Sequence, residues 1–149
     1  MSAMESEPPD RQGEHLLYCD GASRGNPGPA ATGFVLYAPD GAELAARGEA
    51  LGITTNNVAE YTALVQGLDT TLEFHVRQVR VRMDSELVVR QMLGIYRVKH
   101  PALQPLFLAA NERRRRFQHF HIEHVPRRDN ARADALANAA LDALTSRGK

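Results

Sequence analysis

The spacing of apolar residues changes period several times along the chain, and each change marks an element. His15-Leu16-Leu17-Tyr18 is an apolar-leaning run that reads as a strand over roughly 15–20. Thr32 to Ala38 is a second strand. Pro39-Asp40-Gly41 is a hairpin turn signal, and Ala42 to Leu51 is a third strand, so the chain opens as an antiparallel meander. A polar loop, Gly52 to Asn57, then leads into a helix over about 57–73, where Tyr61, Leu64, Val65, Leu68 and Leu72 recur at helical spacing. Val76 to Met83 returns to period two, with Val79, Val81 and Met83 alternating with Arg80 and Arg82. A short helix follows through Leu87, Val88, Gln91 and Met92. After the irregular stretch Ile95 to His100, a further helix runs from Pro101 to about Phe117, with Leu103, Leu106, Phe107 and Ala110 as its apolar face. His119 to Val125 is the fifth strand and 126–130 a loop. An Ala-rich helix over about 130–145 turns Ala133, Leu136, Ala137, Ala140, Leu141 and Leu144 inward.

The element order is therefore βββαβααβα. Strands joined through a helix can enter the sheet in parallel, which predicts an α/β fold with a five-stranded mixed sheet flanked by helices. At 149 residues the chain fits one domain, read as 15–145. An acidic disordered tail over 1–14 and a short C-terminal tail over 146–149 flank it. No apolar run is long enough to span a bilayer, and the N-terminus lacks an apolar signal-peptide core. The single cysteine, Cys19, excludes an internal disulfide and suits the cytoplasm, and its expected role is packing. A monomer is the default expectation. The net charge of +0 hides an asymmetry: Glu5, Glu7, Asp10 and Glu14 against Arg11 leave the first 14 residues at −3 and the remainder at +3. That balance permits nucleic-acid binding without arguing strongly for it.

Four acids sit at element edges. Asp20 stands where the first strand gives way to a glycine-rich turn, and Asp84 where the fourth ends. If those strands are parallel neighbours the two carboxylates come side by side, which is unfavourable unless a cation lies between them. An all-oxygen donor set calls for Mg²⁺ or Mn²⁺. Glu60 lies on the buried side of the first helix, although Asn57 three residues before it also fits a capping box. Asp134 lies in the early turns of the last helix, with Asp129 as a competing candidate; Asp84 equally fits a helix N-cap. Arg113 to Arg116 reads as the solvated end of a helix. His119 and His121 share a strand face with Glu123 and are not assigned to the site.

Four separated blocks carry a resemblance: CDGASRGNPGPAATGFVL at 19–36, TTNNVAEYTAL at 54–64, MDSELVVRQM at 83–92 and HVPRRDNARADALANAAL at 124–141. In that order, and spanning nearly everything from residue 15, they resemble type 1 ribonuclease H. The resemblance implies cleavage of the RNA strand of an RNA/DNA hybrid by two divalent metals, leaving 5′-phosphate and 3′-hydroxyl ends. Asp20, Glu60, Asp84 and Asp134 match the family's catalytic, metal-holding acids. Asn26, Asn56 and Asn57 match hybrid-contacting positions, together with backbone around Ala22, Ser23, Arg24 and Gly25. The alternatives are a binding module that has lost catalysis and a metal nuclease acting on DNA. The chain departs from the family's pattern in three places. The loop before the last helix holds no His, leaving His124, Arg127 and Arg128 as candidates for that auxiliary role. Glu86 stands where a hybrid-contacting Gln is common. Residues 93–112 look too short and too neutral for the basic protrusion of many bacterial members, which implies weak, salt-sensitive substrate binding.

Overall fold

In the computed structural model, which describes residues 13–147 and side chains as far as Leu144, five strands form one mixed sheet flanked by four helices. The strands are β1 (Glu14–Ser23), β2 (Gly28–Tyr37), β3 (Glu43–Thr54), β4 (Gln78–Met83) and β5 (His119–His124). The helices are α1 (Asn56–Glu73), α2 (Glu86–Met92), α3 (Gln104–Arg114) and α4 (Ala131–Arg147), with a 3₁₀ turn at Arg127–Asn130 leading into α4. The sheet order is β3-β2-β1-β4-β5. The β1–β2–β3 meander is antiparallel, while β4 and β5 add in parallel on the other side of β1. The expected order and connectivity are those observed. No helix among the described residues is long and apolar enough to cross a membrane.

Period-two alternation explains how each strand divides its residues. On β4, Val79, Val81 and Met83 are fully buried, whereas Arg80 and Arg82 point to the other face. The buried set joins Leu17, Cys19, Phe34, Leu36 and Ile122 under the apolar stripe of α1 (Tyr61, Leu64, Leu68), with α2 and α3 closing the core. Opposite, α4 lies on β2 and β3, packing Ala137 and Leu141 against Ala31. It comes unusually close: a Cβ on Gly33 would stand 2.1 Å from the Ala133 carbonyl oxygen, and one on Gly48 would stand 2.3 Å from that of Leu136. Side-chain-free positions on two neighbouring strands thus seat the helix that carries Asp134. The half of this face beyond α4 is a charge network. Arg80 bonds Glu14 and Glu123, both at 2.9 Å, and Arg82 bonds Glu123 at 2.7 Å and the Tyr18 hydroxyl at 2.8 Å.

Several boundaries move, each for a local reason. Strand β1 runs on past Asp20 to Ser23, and β2 begins at Gly28 rather than Thr32, because the glycine-rich stretch stays paired, down to Ser23 opposite Ala30. Glu14 belongs to β1, opposite Gln78, and is held by Arg80 instead of lying in a tail; residues 1–12 are outside the described residues. Helix α3 is shorter than the 101–117 expected: residues 101–103 form a turn before it, and backbone bonds from Arg116 and Phe117 close a turn after it. The α4 backbone continues to Arg147, and Leu144 is 41% exposed instead of packed. The arginine run is only partly solvated: Arg113 bonds Asp69 at 2.9 Å, and Arg114 donates to the Met92 carbonyl at 3.4 Å.

Candidate active site

The site grows from the place where β1 and β4 part. Their parallel register ends at Tyr18 opposite Arg82; two residues further along each chain stand Asp20 and Asp84. Asp20 is 5% exposed, held in extended backbone opposite Gly33 of β2. Asp84 follows the last residue of β4 and is half-buried.

Glu60 arrives from the first turns of α1 and is 3% exposed. It does not cap its own helix. Thr55 does that, accepting from the Val58 N–H at 3.3 Å, which overturns the Asn57 capping box. Glu60 instead accepts from the Gly21 N–H of β1 at 2.5 Å. This contact requires glycine: a Cβ at position 21 would lie 2.3 Å from the Glu60 nitrogen and from the Ala59 carbonyl carbon. Asp84 is likewise not an N-cap. Ser85 caps α2, accepting from the Val88 N–H at 3.3 Å. Asp84 is therefore free to face the other two acids.

Carboxylate oxygens of Asp20, Glu60 and Asp84 lie within 4.8 Å of one another. Burial, then the charge of Glu60, holds the Asp20 carboxyl far above the usual range, with Asp84 and a hydrogen bond shared with Asp134 adding to it. Burial also raises Glu60, to about 7, against hydrogen bonds from Asp20, Gly21 and Ser85 that pull it down. Two acids held this way repel each other when both are ionised. A divalent cation relieves the repulsion, and a close cluster of carboxylate oxygens without His or Cys is the donor set Mg²⁺ and Mn²⁺ accept. The residues present therefore fit such an ion.

Asp134 stands beside this trio, 26% exposed in its side chain, 3.6 Å from the Arg127 guanidinium and hydrogen-bonded by Asn138. Asp129, its competitor, faces away into a groove with Tyr18, Tyr37 and Arg132. A cleft of about 340 Å³ opens over the acids, lined also by Gly21 to Arg24, Asn56, Arg127 and Asn138. Asn57 and Asn26 line a neighbouring groove with Thr55 and His100. The Asn26 side-chain Oδ1 accepts from the Asn56 N–H at 3.0 Å, tying the hairpin to the start of α1. His124 is exposed and outside the lining of the cleft, and Arg128 is exposed, so of the three auxiliary candidates only Arg127 reaches the acids. Glu86 leans along its helix to Arg90 at 3.5 Å rather than into the cleft.

Sequence reasoning missed Asn130. It is 1% exposed, and its amide donates to the Cys19 carbonyl at 2.8 Å and to Asp84 at 3.0 Å. It thereby joins β1, the end of β4 and the entry to α4. Its place directly before the Ala-rich helix was the available signal, but it reads there as an ordinary loop residue.

Comparison with known proteins agrees with this arrangement. A family model described as reverse transcriptase-like matches residues 18–140. Ribonuclease HI of Halobacterium salinarum is 47% identical over 134 residues, 90% of this chain and 67% of that protein. A bifunctional protein of Mycobacterium tuberculosis is 45% identical over 86% of this chain, which spans only 35% of that relative's length. Among solved structures, the Halobacterium salinarum ribonuclease H1 superposes with a TM-score of 0.84 at 46% identity, covering 87% of this chain and 98% of that one. A ribonuclease H1 solved in complex with RNA/DNA hybrid superposes with a TM-score of 0.84 at 42% identity, covering 88% and 99%. With the fold, the converging acids and these relatives together, the chain belongs to the type 1 ribonuclease H family of hydrolases.

Proposed function

We propose that this protein hydrolyses the RNA strand of RNA/DNA hybrids, with Asp20, Glu60, Asp84 and Asp134 holding two divalent ions, Mg²⁺ or Mn²⁺. The observation that carries the reading is the convergence of Asp20, Glu60 and Asp84 within 4.8 Å at the floor of an open cleft. A buried cluster of acids is costly to keep unless a cation or a proton compensates it. Bound there, the ions would supply an activated water and stabilise the charge that develops on the leaving oxygen.

The protein's own groups set the geometry. Asp20 is fixed by strand pairing on β1, and Glu60 by the Gly21 N–H. Asp84 is oriented by Asn130, which also grips β1, so the spacing of the two strand-borne acids does not drift. Asp134 is delivered by α4 and steadied by Asn138. In-line attack of water on the scissile phosphorus breaks the P–O3′ bond. The water oxygen stays on the 5′-phosphate, and the departing 3′ oxygen takes up a proton. Backbone from Ala22 to Gly25, with Asn26, Asn56 and Asn57, borders the site with short polar groups, which suit the 2′-hydroxyls of a hybrid's wide minor groove. A ribonuclease H1 of this fold, solved with RNA/DNA hybrid bound, supports the substrate class.

The test is a panel of end-labelled duplexes in Mg²⁺ and in Mn²⁺: RNA/DNA hybrid, DNA duplex, RNA duplex, and a DNA duplex with a single ribonucleotide. Cutting of the RNA strand of the hybrid, abolished by EDTA, is expected. Cutting of the DNA duplex would replace the reading with a DNA nuclease. Binding without cutting in either metal would replace it with a binding module.

A further inference from the structure

The cleft must receive a polyanion, yet its floor is acidic. Among its described lining residues the cations are Arg24 and Arg127. Each faces an acid of α4: Arg24 Nη2 lies 2.6 Å from Asp142, and Arg127 lies 3.6 Å from Asp134. Asp134, Asn138 and Asp142 follow at four-residue spacing along α4. Asp134 belongs to the acidic centre. Asp142 does not: it is 71% exposed in its side chain and outside the cleft lining.

We propose, resting on the hybrid-cleaving reading above, that Arg24 is a phosphate-binding residue of the cleft and that Asp142 competes with the hybrid for its guanidinium, so that Asp142 limits substrate affinity. Three observations support this. The Arg24 backbone is fixed, since its N–H donates to the Pro29 carbonyl at 2.8 Å and Ser23 pairs with Ala30, so the side chain swings from a rigid mount. The partner is replaceable, because an exposed ion pair (41% and 71% exposed here) is screened by solvent and adds little net stability. A phosphate offers the same planar two-oxygen match to a guanidinium as a carboxylate does. Arg24 meets Asp142 through one Nη2–Oδ1 contact, and it thus has two competing anionic acceptors, one carried by α4 and one brought by the substrate. Asp142 acts through Arg24 and is a positioning residue, not a catalytic one.

The experiment is hybrid affinity by fluorescence anisotropy in Mg²⁺, in an Asp84→Asn background that keeps the RNA intact. Asp142→Asn, Arg24→Ala and the double substitution are compared at low and moderate salt. Asp142→Asn is expected to tighten binding about two- to fivefold at low salt, and Arg24→Ala to weaken it similarly and lower the salt dependence by about one phosphate contact. In the Arg24→Ala background, Asp142→Asn should change affinity less than about twofold. Equal tightening with and without Arg24 would overturn the proposal, making Asp142 a general repulsive charge. Weaker or unchanged binding in Asp142→Asn would overturn it as well, leaving the pair a clasp between hairpin and helix. Arg24→Gln replaces the alanine variant if thermal melting shows that the latter unfolds. Failure of the Asp84→Asn background itself to bind hybrid would instead strike the substrate reading and remove the premise.

Discussion

Gly21→Ala is the substitution that most directly probes how the site is assembled. An added methyl would meet the Ala59 carbonyl carbon and the Glu60 nitrogen at 2.3 Å, where ordinary contact starts at 3.4 Å. The obstacle is backbone, so no side chain can rotate away. The start of α1 must retreat by about 1 Å, or β1 must bend. Overpacking of this kind costs about 1–3 kcal/mol, and the rigid obstacle places Gly21→Ala at the upper end. The same retreat lengthens the bond from Gly21 N–H to Glu60 and shifts that carboxylate relative to Asp20 and Asp84. A misplacement of about 1 Å in a reacting constellation can cost on the order of 100-fold in rate. Urea unfolding and hybrid cleavage, measured on the same preparation, check both halves. Stability within about 0.5 kcal/mol of wild type would refute the close approach. A destabilised protein with undiminished turnover would refute the dependence of Glu60 on Gly21.

Three further outcomes follow from the geometry. Asn130→Ala removes the bridge between the Cys19 carbonyl and Asp84; it should cost about 1–3 kcal/mol and weaken Mg²⁺ binding about 10–100-fold by calorimetric titration, so unchanged metal affinity would show that Asp84 needs no such support. Asp20 and Glu60 both have carboxyls raised above their unfolded values by burial, Glu60 to about 7. The stability they contribute is complete below about pH 4 and is lost as pH rises through the folded values. In EDTA, the stability of wild type relative to Glu60→Gln should therefore fall as pH rises from acid to pH 8, and Mg²⁺ should flatten that difference; a difference growing with pH would reverse the sign of the argument. His124→Ala should reduce cleavage only mildly, less than about threefold, because His124 is exposed and outside the cleft lining; a loss as deep as that from an acid would place His124 in the reaction.

The sheet's connectivity was legible because its signals are local and periodic: β4 alternates Val79, Val81 and Met83 with Arg80 and Arg82, and α1 repeats its apolar positions at helical spacing. The acids were legible for a related reason, since Asp20 and Asp84 mark where neighbouring strands diverge. What the sequence hid depends on contacts between distant elements. Glu60 had two readings three residues apart from Asn57, and only its bond to Gly21 on β1 decides between them. Asp84 read equally well as a helix cap until the Ser85 hydroxyl was seen on Val88. Gly33 and Gly48 read as ordinary strand residues, and their use as seats for α4 appears only when the helix is packed. Arg24 and Asp142 are 118 residues apart in the chain, and no local pattern pairs them. Element edges moved where pairing persisted through glycines, as at the end of β1.

The most direct test of the central claim is Asp84→Asn, assayed together for hybrid cleavage, hybrid binding and thermal unfolding. Asp84 is half-buried and bonded by Asn130, and the amide preserves size while removing the charge that completes the acidic cluster. Loss of metal-dependent cutting of the RNA strand, with folding intact and hybrid still bound, is the predicted result. Full cleavage by Asp84→Asn would contradict the assignment of this cluster as the hydrolytic centre.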